Sequence, residues 1–287
     1  MSKASYRFRL GKFDCLIVLD GTFAYPHPGP MLFANAPQDH MAEVLRKHDI
    51  DVERWEAYLS PYPGLLVDTG EHRVLVDTGG GDIAPTTGDL IPILQAEGIA
   101  PGDIDTVVLT HGHPDHIGGV IDSEGRPAFP NARYVMGKDE WAFWTSEPDL
   151  TEWPLAEQFK QLILSLARSN LPPIQSQLDL VEADDEIVPG VRAFPTPGHT
   201  PGHIALSIVS DGERLLCASD AIIHPIHVEQ TGWYSAFDLA PEQALASRRD
   251  FLERAAAERA LVQCFHFPFP GLGYVIQKGH SWVWQPI

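Results

Sequence analysis

The 287-residue chain has little of what would place it in a membrane, in a secretory pathway or on a nucleic acid. No apolar run approaches the ~18 residues that a membrane-spanning helix needs. Residues Met1 to Asp20 carry four basic side chains, but the apolar stretch Cys15 to Leu19 is shorter than a secretory h-region of ~7 to 15 residues. A cytoplasmic location is therefore expected. Basic residues are scarce, 20 against 39 acidic ones, for a formal net charge of −19. With no Lys/Arg run to offset that charge, a polyanion would be repelled and nucleic acid is not an expected partner. Cysteine is scarce as well. Cys15, Cys217 and Cys264 have no C-x-x-C spacing and sit in apolar runs, so they read as reduced core thiols rather than a disulfide set. The G-x-S-x-G elbow is absent, which excludes the serine nucleophile of α/β-hydrolases. No linker or low-complexity stretch divides the chain, and a single domain over 1–287 is expected.

What the chain does have is histidine in a pattern. Thr110-His111-Gly112-His113-Pro114-Asp115-His116 follows the apolar run Ile104 to Leu109. This is a metal-binding loop at the end of a buried strand. Imidazole with carboxylate suits zinc, iron or manganese, and His-x-His lets two rings reach one ion while Asp115 and His116 reach a second. The glycines and proline around these side chains build a fixed loop rather than an exposed histidine tract. Further candidates stand where β-runs give way to loops: His199 in Pro195 to His203, Asp220 after Arg214 to Ser219, and His266 after Ala260 to Phe265. His203 competes with His199, but it begins the run Ile204 to Ile208 and reads better as a residue that orders the loop by hydrogen bonding. His27, His40, His48, His72, His224, His227 and His280 have no comparable setting and read as surface or structural.

The organisation is strand-rich, helical, strand-rich, helical, then a closing strand. Residues 6–20 and 64–78 read as strands, the latter a hairpin turning at Gly70-Glu71-His72. Asp89 to Gly98 reads as a helix with a glycine stop. Leu155, Phe159, Leu162, Ile163 and Leu166 share one helical face in a proline-bracketed insertion, about 147–183, that either packs on the core or caps a pocket. Pro241 opens a helix to about Arg259. Gly118-Gly119 permits close backbone approach beside the histidine loop.

The H-x-H-x-D-H loop followed by Gly198-His199, Ser219-Asp220 and Phe265-His266 resembles the metallo-β-lactamase superfamily. The resemblance covers nearly the whole chain from Leu65 onward. The strings Leu19 to Thr22, Phe129 to Ala132 and His266 to Gly273 are similar to the branch containing methyl parathion hydrolase and the quorum-quenching lactonases. The resemblance implies an α/β, four-layer αββα sandwich with the metals at one edge. It implies that His111, His113 and His199 bind one ion, that Asp115, His116 and His266 bind another, and that Asp220 bridges them. Two divalent ions are implied, zinc foremost, with manganese, cobalt or iron as alternatives. The implied activity is that of a dinuclear hydrolase whose bridging hydroxide opens a lactone or ester, with promiscuous phosphotriesterase activity as an addition and Asp115 and Asp220 as the catalytic carboxylates. A homodimer, common among such relatives, is allowed but not specified.

The substrate is narrowed by departures and aromatics. Many acyl-homoserine lactonases carry a substrate-binding tyrosine three residues beyond the bridging aspartate, where this chain has Ile223; Tyr25 or Tyr234 could take that role in space. Trp141, Phe143, Trp144, Trp233, Tyr234, Phe237, Phe267 and Phe269 read singly as core and together as the wall of an apolar pocket for a small neutral ester or lactone. Trp144, Ile223, Phe267 and Leu272 are the candidates for substrate contact. Three alternatives share the fold: a mononuclear iron, persulfide-dioxygenase-like oxidoreductase, a glyoxalase II-like thioesterase, and a β-lactamase. The thioesterase would want a basic rim and the β-lactamase an extracellular drug. Metal content separates the iron enzyme from the hydrolase.

Overall fold

The computed structural model describes residues 4–279 and 281–287, so the reading of His280, and that of Met1 to Lys3, lies outside the described residues. The first half of the chain contributes β1 (Ser5–Leu10), β2 (Phe13–Pro26), α1 (Pro28–Leu32), α2 (Gln38–Lys47), β3 (Ala57–Asp68) and β4 (Arg73–Val76). It continues through α3 (Leu90–Ala96), β5 (Thr106–Leu109), α4 (Pro114–Ile117), β6 (Arg133–Gly137), α5 (Lys138–Thr145), α6 (Glu157–Asn170) and β7 (Leu178–Val181). The second half contributes β8 (Glu186–Val188), β9 (Val191–Pro195), β10 (Ile204–Ser210), β11 (Glu213–Ser219), α7 (Ile226–Glu229), α8 (Pro241–Glu258), β12 (Leu261–Cys264), β13 (Leu272–Lys278) and β14 (Ser281–Pro286). Among the described residues these strands form two seven-stranded sheets, ordered β1-β2-β3-β4-β5-β6-β7 and β14-β13-β12-β11-β10-β9-β8.

Side-chain alternation explains why the two sheets stack and why helices cover both. Ile17, Leu65, Val67, Val74, Val76, Val108 and Val135 turn inward, onto Ala193, Leu206, Ile208, Leu215 and Cys217 of the second sheet. Their strand neighbours Leu16, Val18, Leu66, Leu75, Val107 and Tyr134 face the other way, onto α3, α5 and α6. In the second sheet Phe194, Ala205, Leu216, Ala218, Val262 and Cys264 face α8. A period of two along each strand thus yields two apolar faces per sheet and a helix–sheet–sheet–helix sandwich, the fold class expected. The cysteines Cys15, Cys217 and Cys264 are free and buried. Among the described residues no helix is long and apolar enough to cross a membrane.

Two departures from the sequence reading bear on function. β2 and β3 run well beyond residues 20 and 64, pairing Tyr25 with Tyr58 and Phe23 with Ser60. Pro61 and Pro63 hide this strand from a propensity reading. Thr22 directs its N–H to the Thr86 carbonyl, away from β3, so its pair with Pro61 lies at a non-hydrogen-bonded position. The missing donor of Pro61 then faces an edge that β4 does not reach, because β4 pairs only with Leu65 to Asp68. The tip of this long hairpin carries α1 and α2, whose Leu32, Phe33, Met41, Val44 and Leu45 pack on Ile223, Ile226 and Trp233. Within the expected insertion, α6 buries Ile163, Leu164 and Ala167 on the core.

His224 lies within that packing and is buried against the rings of Phe33, Trp55 and Tyr58. Burial, helped by the charge of His48, pushes its pKa down to about 3, while its Nδ1 accepts the Ile226 N–H at 3.2 Å. A histidine kept neutral in the fold contributes stability that is present above its unfolded pKa of about 6.5 and is lost as pH falls from there toward the folded value. The variant His224→Asn keeps an acceptor without titrating. Its denaturation midpoint should fall less between about pH 7 and pH 5 than that of the parent chain; equal acid losses would show that His224 is protonated as readily in the fold as outside it.

Candidate metal centre

The histidine loop is built where β5 stops. His111 follows the strand, and the peptide N–H of the preceding Thr110 and its hydroxyl both donate to Asp77. His113 stands at the N-terminal boundary of the single-turn α4, with Pro114 in its first turn, and Asp115 and His116 follow on that turn. Gly112 is required by packing, since a Cβ there would lie 2.3 Å from the Trp144 ring. His199 comes from the β9–β10 loop, Asp220 directly follows β11, and His266 lies two residues beyond β12.

The fold brings these seven side chains together in two clusters. His111, His113, His199 and Asp220 offer ligand atoms within 4.8 Å of one another, as do Asp115, His116 and His266. Asp220 touches both groups. Its Oδ2 lies 3.3 Å from His199 Nε2 and 3.1 Å from His266 Nε2, and its Oδ1 lies 3.2 Å from His116 Nε2. Asp115 Oδ2 is 3.4 Å from His266 Nε2. Burial and the neighbouring imidazoles hold His111 and His113 well below the usual histidine pKa. Burial opposes charge on His116 too, yet Asp220, Asp77 and Asp115 outweigh it and raise its pKa. The same opposition at Asp220 is overcome by His266 and His116, which lower its pKa.

Divalent cations fit this donor set. His111 Nε2, His113 Nε2, His116 Nε2 and Asp220 Oδ1 are buried with no hydrogen-bond partner among the described residues. Orphaned polar atoms so close together would be costly unless a cation takes their lone pairs. The opposite ring nitrogens are oriented by partners that the sequence reading did not single out. His116 Nδ1 meets Asp77 Oδ2 at 2.8 Å, His199 Nδ1 meets Asp238 Oδ1 at 2.8 Å, and His266 Nδ1 meets Ser60 Oγ at 2.8 Å. Such outer partners set the tautomer and aim the other nitrogen at the ion. His203 is placed differently: Nδ1 contacts Thr196 Oγ1 at 2.8 Å and Nε2 accepts the Asp220 N–H at 3.1 Å.

Glu140 on α5 is the least legible of the supporting residues. Its fully buried carboxylate accepts from the Gly112 N–H and Trp144 Nε1 on one oxygen, and from Thr200 Oγ1 and the Gly202 N–H on the other. One carboxylate thereby ties the loop of His111 and His113 to the loop of His199. Burial raises its pKa against these hydrogen bonds. No motif marks it; the hint in the sequence was only a glutamate four residues before a tryptophan.

An apolar pocket opens over the clusters. It is bounded by His113, Asp115, His199, Asp220 and His266 below, by Phe23, Tyr25, Tyr58 and Tyr62 of the long hairpin, and by Phe159, Leu162, Ile163 and Leu166 of α6. Ile223 and Phe237 are also part of the wall. The helix proposed as either cap or packing therefore does both. Of the four residues expected to touch substrate, the fold brings only Ile223 to this lining. Trp144 is fully buried behind Gly112, Phe267 packs beneath α8 and against Trp284, and Leu272 lies between the sheets. Tyr25 lies in the lining and Tyr234 does not.

The model of the metallo-beta-lactamase superfamily matches residues 63–266. The chain is 29% identical over 210 residues to the N-acyl homoserine lactonase AiiA of Bacillus thuringiensis subsp. kurstaki, covering 69% of this chain and 74% of the relative. Among solved structures it is similar to AidC, a dizinc quorum-quenching lactonase captured with its product, at 29% identity and a TM-score of 0.90 over 99% of this chain and 97% of that one. It is similar also to AbOPH, a hydrolase in the beta-lactamase superfamily, at 26% identity and a TM-score of 0.90 over 100% and 98% of the two chains.

The linkage through Glu140 is testable. Glu140→Gln replaces one acceptor oxygen with a donor and should weaken metal retention by about 10- to 100-fold, as loss of outer partners does elsewhere, while circular dichroism stays unchanged. Competition with a chromophoric chelator reads this directly. Retention equal to that of the parent chain would remove Glu140 from the support of the site.

Proposed function

The chain belongs to the metallo-beta-lactamase superfamily, and from that premise we propose that it is a dinuclear metal-dependent hydrolase opening a small, neutral, hydrophobic lactone or ester. The observation that carries this reading is the position of Asp220: its two oxygens face both imidazole clusters at the floor of one apolar pocket. His111, His113 and His199 would hold one ion, Asp115, His116 and His266 the other, and Asp220 both. Two such ions, when bound, would supply a nucleophile from water near neutral pH and would polarise the scissile carbonyl. Zinc is the ion we assign, since imidazole-rich sites with carboxylate suit it.

The rest of the chemistry falls to the chain's own groups. Asp115 belongs to the second cluster and also lines the pocket, where its carboxylate can carry a proton to the leaving alkoxide. Phe159, Leu162, Leu166 and Phe237 give the pocket an apolar lining that would shield the acyl part of a bound substrate from water. The relatives support a lactone as substrate, because one is a quorum-quenching lactonase and another an N-acyl homoserine lactonase. A phosphotriester presents a similar polarised oxygen and leaving group and is proposed as a secondary substrate.

The test pairs elemental analysis of the purified protein with hydrolysis of an acyl-homoserine lactone, an aryl ester and paraoxon. Two ions per chain with turnover fastest on the lactone are expected. One iron per chain with no hydrolysis would overturn the proposal in favour of an oxidoreductase. Asp220→Ala should lose paired metal binding and lower turnover by roughly a hundred- to thousandfold; two retained ions with normal turnover would refute the bridging role.

A further inference from the structure

Three phenols line the pocket, and their hydrogen bonds differ in a way that singles one out. Tyr58, Ser60 and Tyr62 alternate along β3 and so present the same face to the site. Tyr58 donates to the backbone carbonyl of His266 at 2.5 Å, so its proton is committed. Tyr62 is fully buried, its ring stacked with Phe265 and edge-on to His266. Its hydroxyl meets that of Tyr25 at 2.7 Å, its only hydrogen-bond partner among the described residues. A buried O–H left without an acceptor is costly, so the pair is ordered with Tyr62 donating and Tyr25 accepting.

That order leaves the Tyr25 proton uncommitted. Tyr25 is half-buried, and its ring is held edge-on by Phe23 and by Phe237, at centroid distances of 4.9 and 5.8 Å. It shares the pocket with Asp115 and Asp220. An O–H whose oxygen already accepts a hydrogen bond is polarised and becomes a better donor. Ile223, across the same pocket, offers no polar group.

We infer that Tyr25 is a catalytic residue of this site, donating a hydrogen bond to the scissile carbonyl oxygen of the substrate, and that Tyr62 is a positioning residue that fixes the direction of that donor. The inference rests on the hydrolase reading above. Charge grows on the carbonyl oxygen as the nucleophile adds, so the hydrogen bond strengthens in the transition state and acts mainly on kcat.

The experiment compares the parent chain with Tyr25→Phe and Tyr62→Phe, each checked for two ions per chain and an unchanged unfolding midpoint. Readouts are kcat and KM on an acyl-homoserine lactone, and calorimetric binding of its lactam analogue, which keeps the carbonyl and resists hydrolysis. Tyr25→Phe should lower kcat by about a hundredfold with KM little changed and weaken lactam binding several-fold. Tyr62→Phe should lower kcat by roughly a tenth of that factor. If the parent chain hydrolyses the lactone and fully metallated Tyr25→Phe matches it in kcat and lactam affinity, this inference fails while the hydrolase reading stands. If the parent chain turns over no lactone or ester, the hydrolase reading fails first. A large kcat loss in Tyr62→Phe, with Tyr25→Phe near normal, would reverse the two roles and overturn the order drawn here.

Discussion

The buried carboxylate of Asp220, set among the imidazoles of His116, His199 and His266, is the constraint on which the rest of the structure depends. So many donor atoms cannot be withdrawn from water without compensation, and three ring nitrogens together with one Asp220 oxygen have no hydrogen-bond partner among the described residues. Divalent cations answer that deficit. Each surrounding loop is correspondingly over-determined, because ligands that must meet within a few ångströms cannot be left to flexible backbone.

Buried acidic side chains supply that rigidity. Asp77 holds Thr110 and His116; Asp238 holds His199 and accepts the Ser235 N–H; Glu140 joins two ligand loops. Arg248, fully buried on α8, lies 3.8 Å from Asp238 and donates to the carbonyls of Ala221 and Trp233. The negative charge of the chain is therefore only partly a surface property. A share of it is internal, placed where histidines and cations balance it.

The pocket is assembled from segments far apart in the chain. The β2–β3 hairpin brings Phe23, Tyr25, Tyr58 and Tyr62 from one side, and α6 brings Phe159, Leu162 and Leu166 from another. Ser60 and Tyr58 from the same hairpin hold His266 by its Nδ1 and its carbonyl. The pocket wall and the support of His266 are thus built on one pair of strands, so a change in the hairpin would be felt in both.

The sandwich was legible because β2, β4, β5, β10 and β11 contain short apolar runs buried on both faces, and such a run is a local property of the chain that calls for cover on each side of the sheet. The histidine loop was legible for the same reason: His111, His113, Asp115 and His116 lie within one turn and a half, and their spacing alone makes them neighbours. The strand carrying Tyr58, Ser60 and Tyr62 was hidden by Pro61 and Pro63, whose cost vanishes only because β4 stops short of them. Trp144 and Leu272 could not be sorted from true pocket residues, since an aromatic or aliphatic side chain looks alike in a core and in a wall. Glu140 and Asp238 became visible only once distant segments met, 62 residues apart for Glu140 and Gly202 and 39 for His199 and Asp238, and it was the fold that put Tyr25 rather than Tyr234 into the pocket. Sequence by itself determined what is periodic or contiguous, the layers and the ligand loop; tertiary structure alone decided which lone polar side chains face those ligands, because that depends on chain crossings no local pattern encodes.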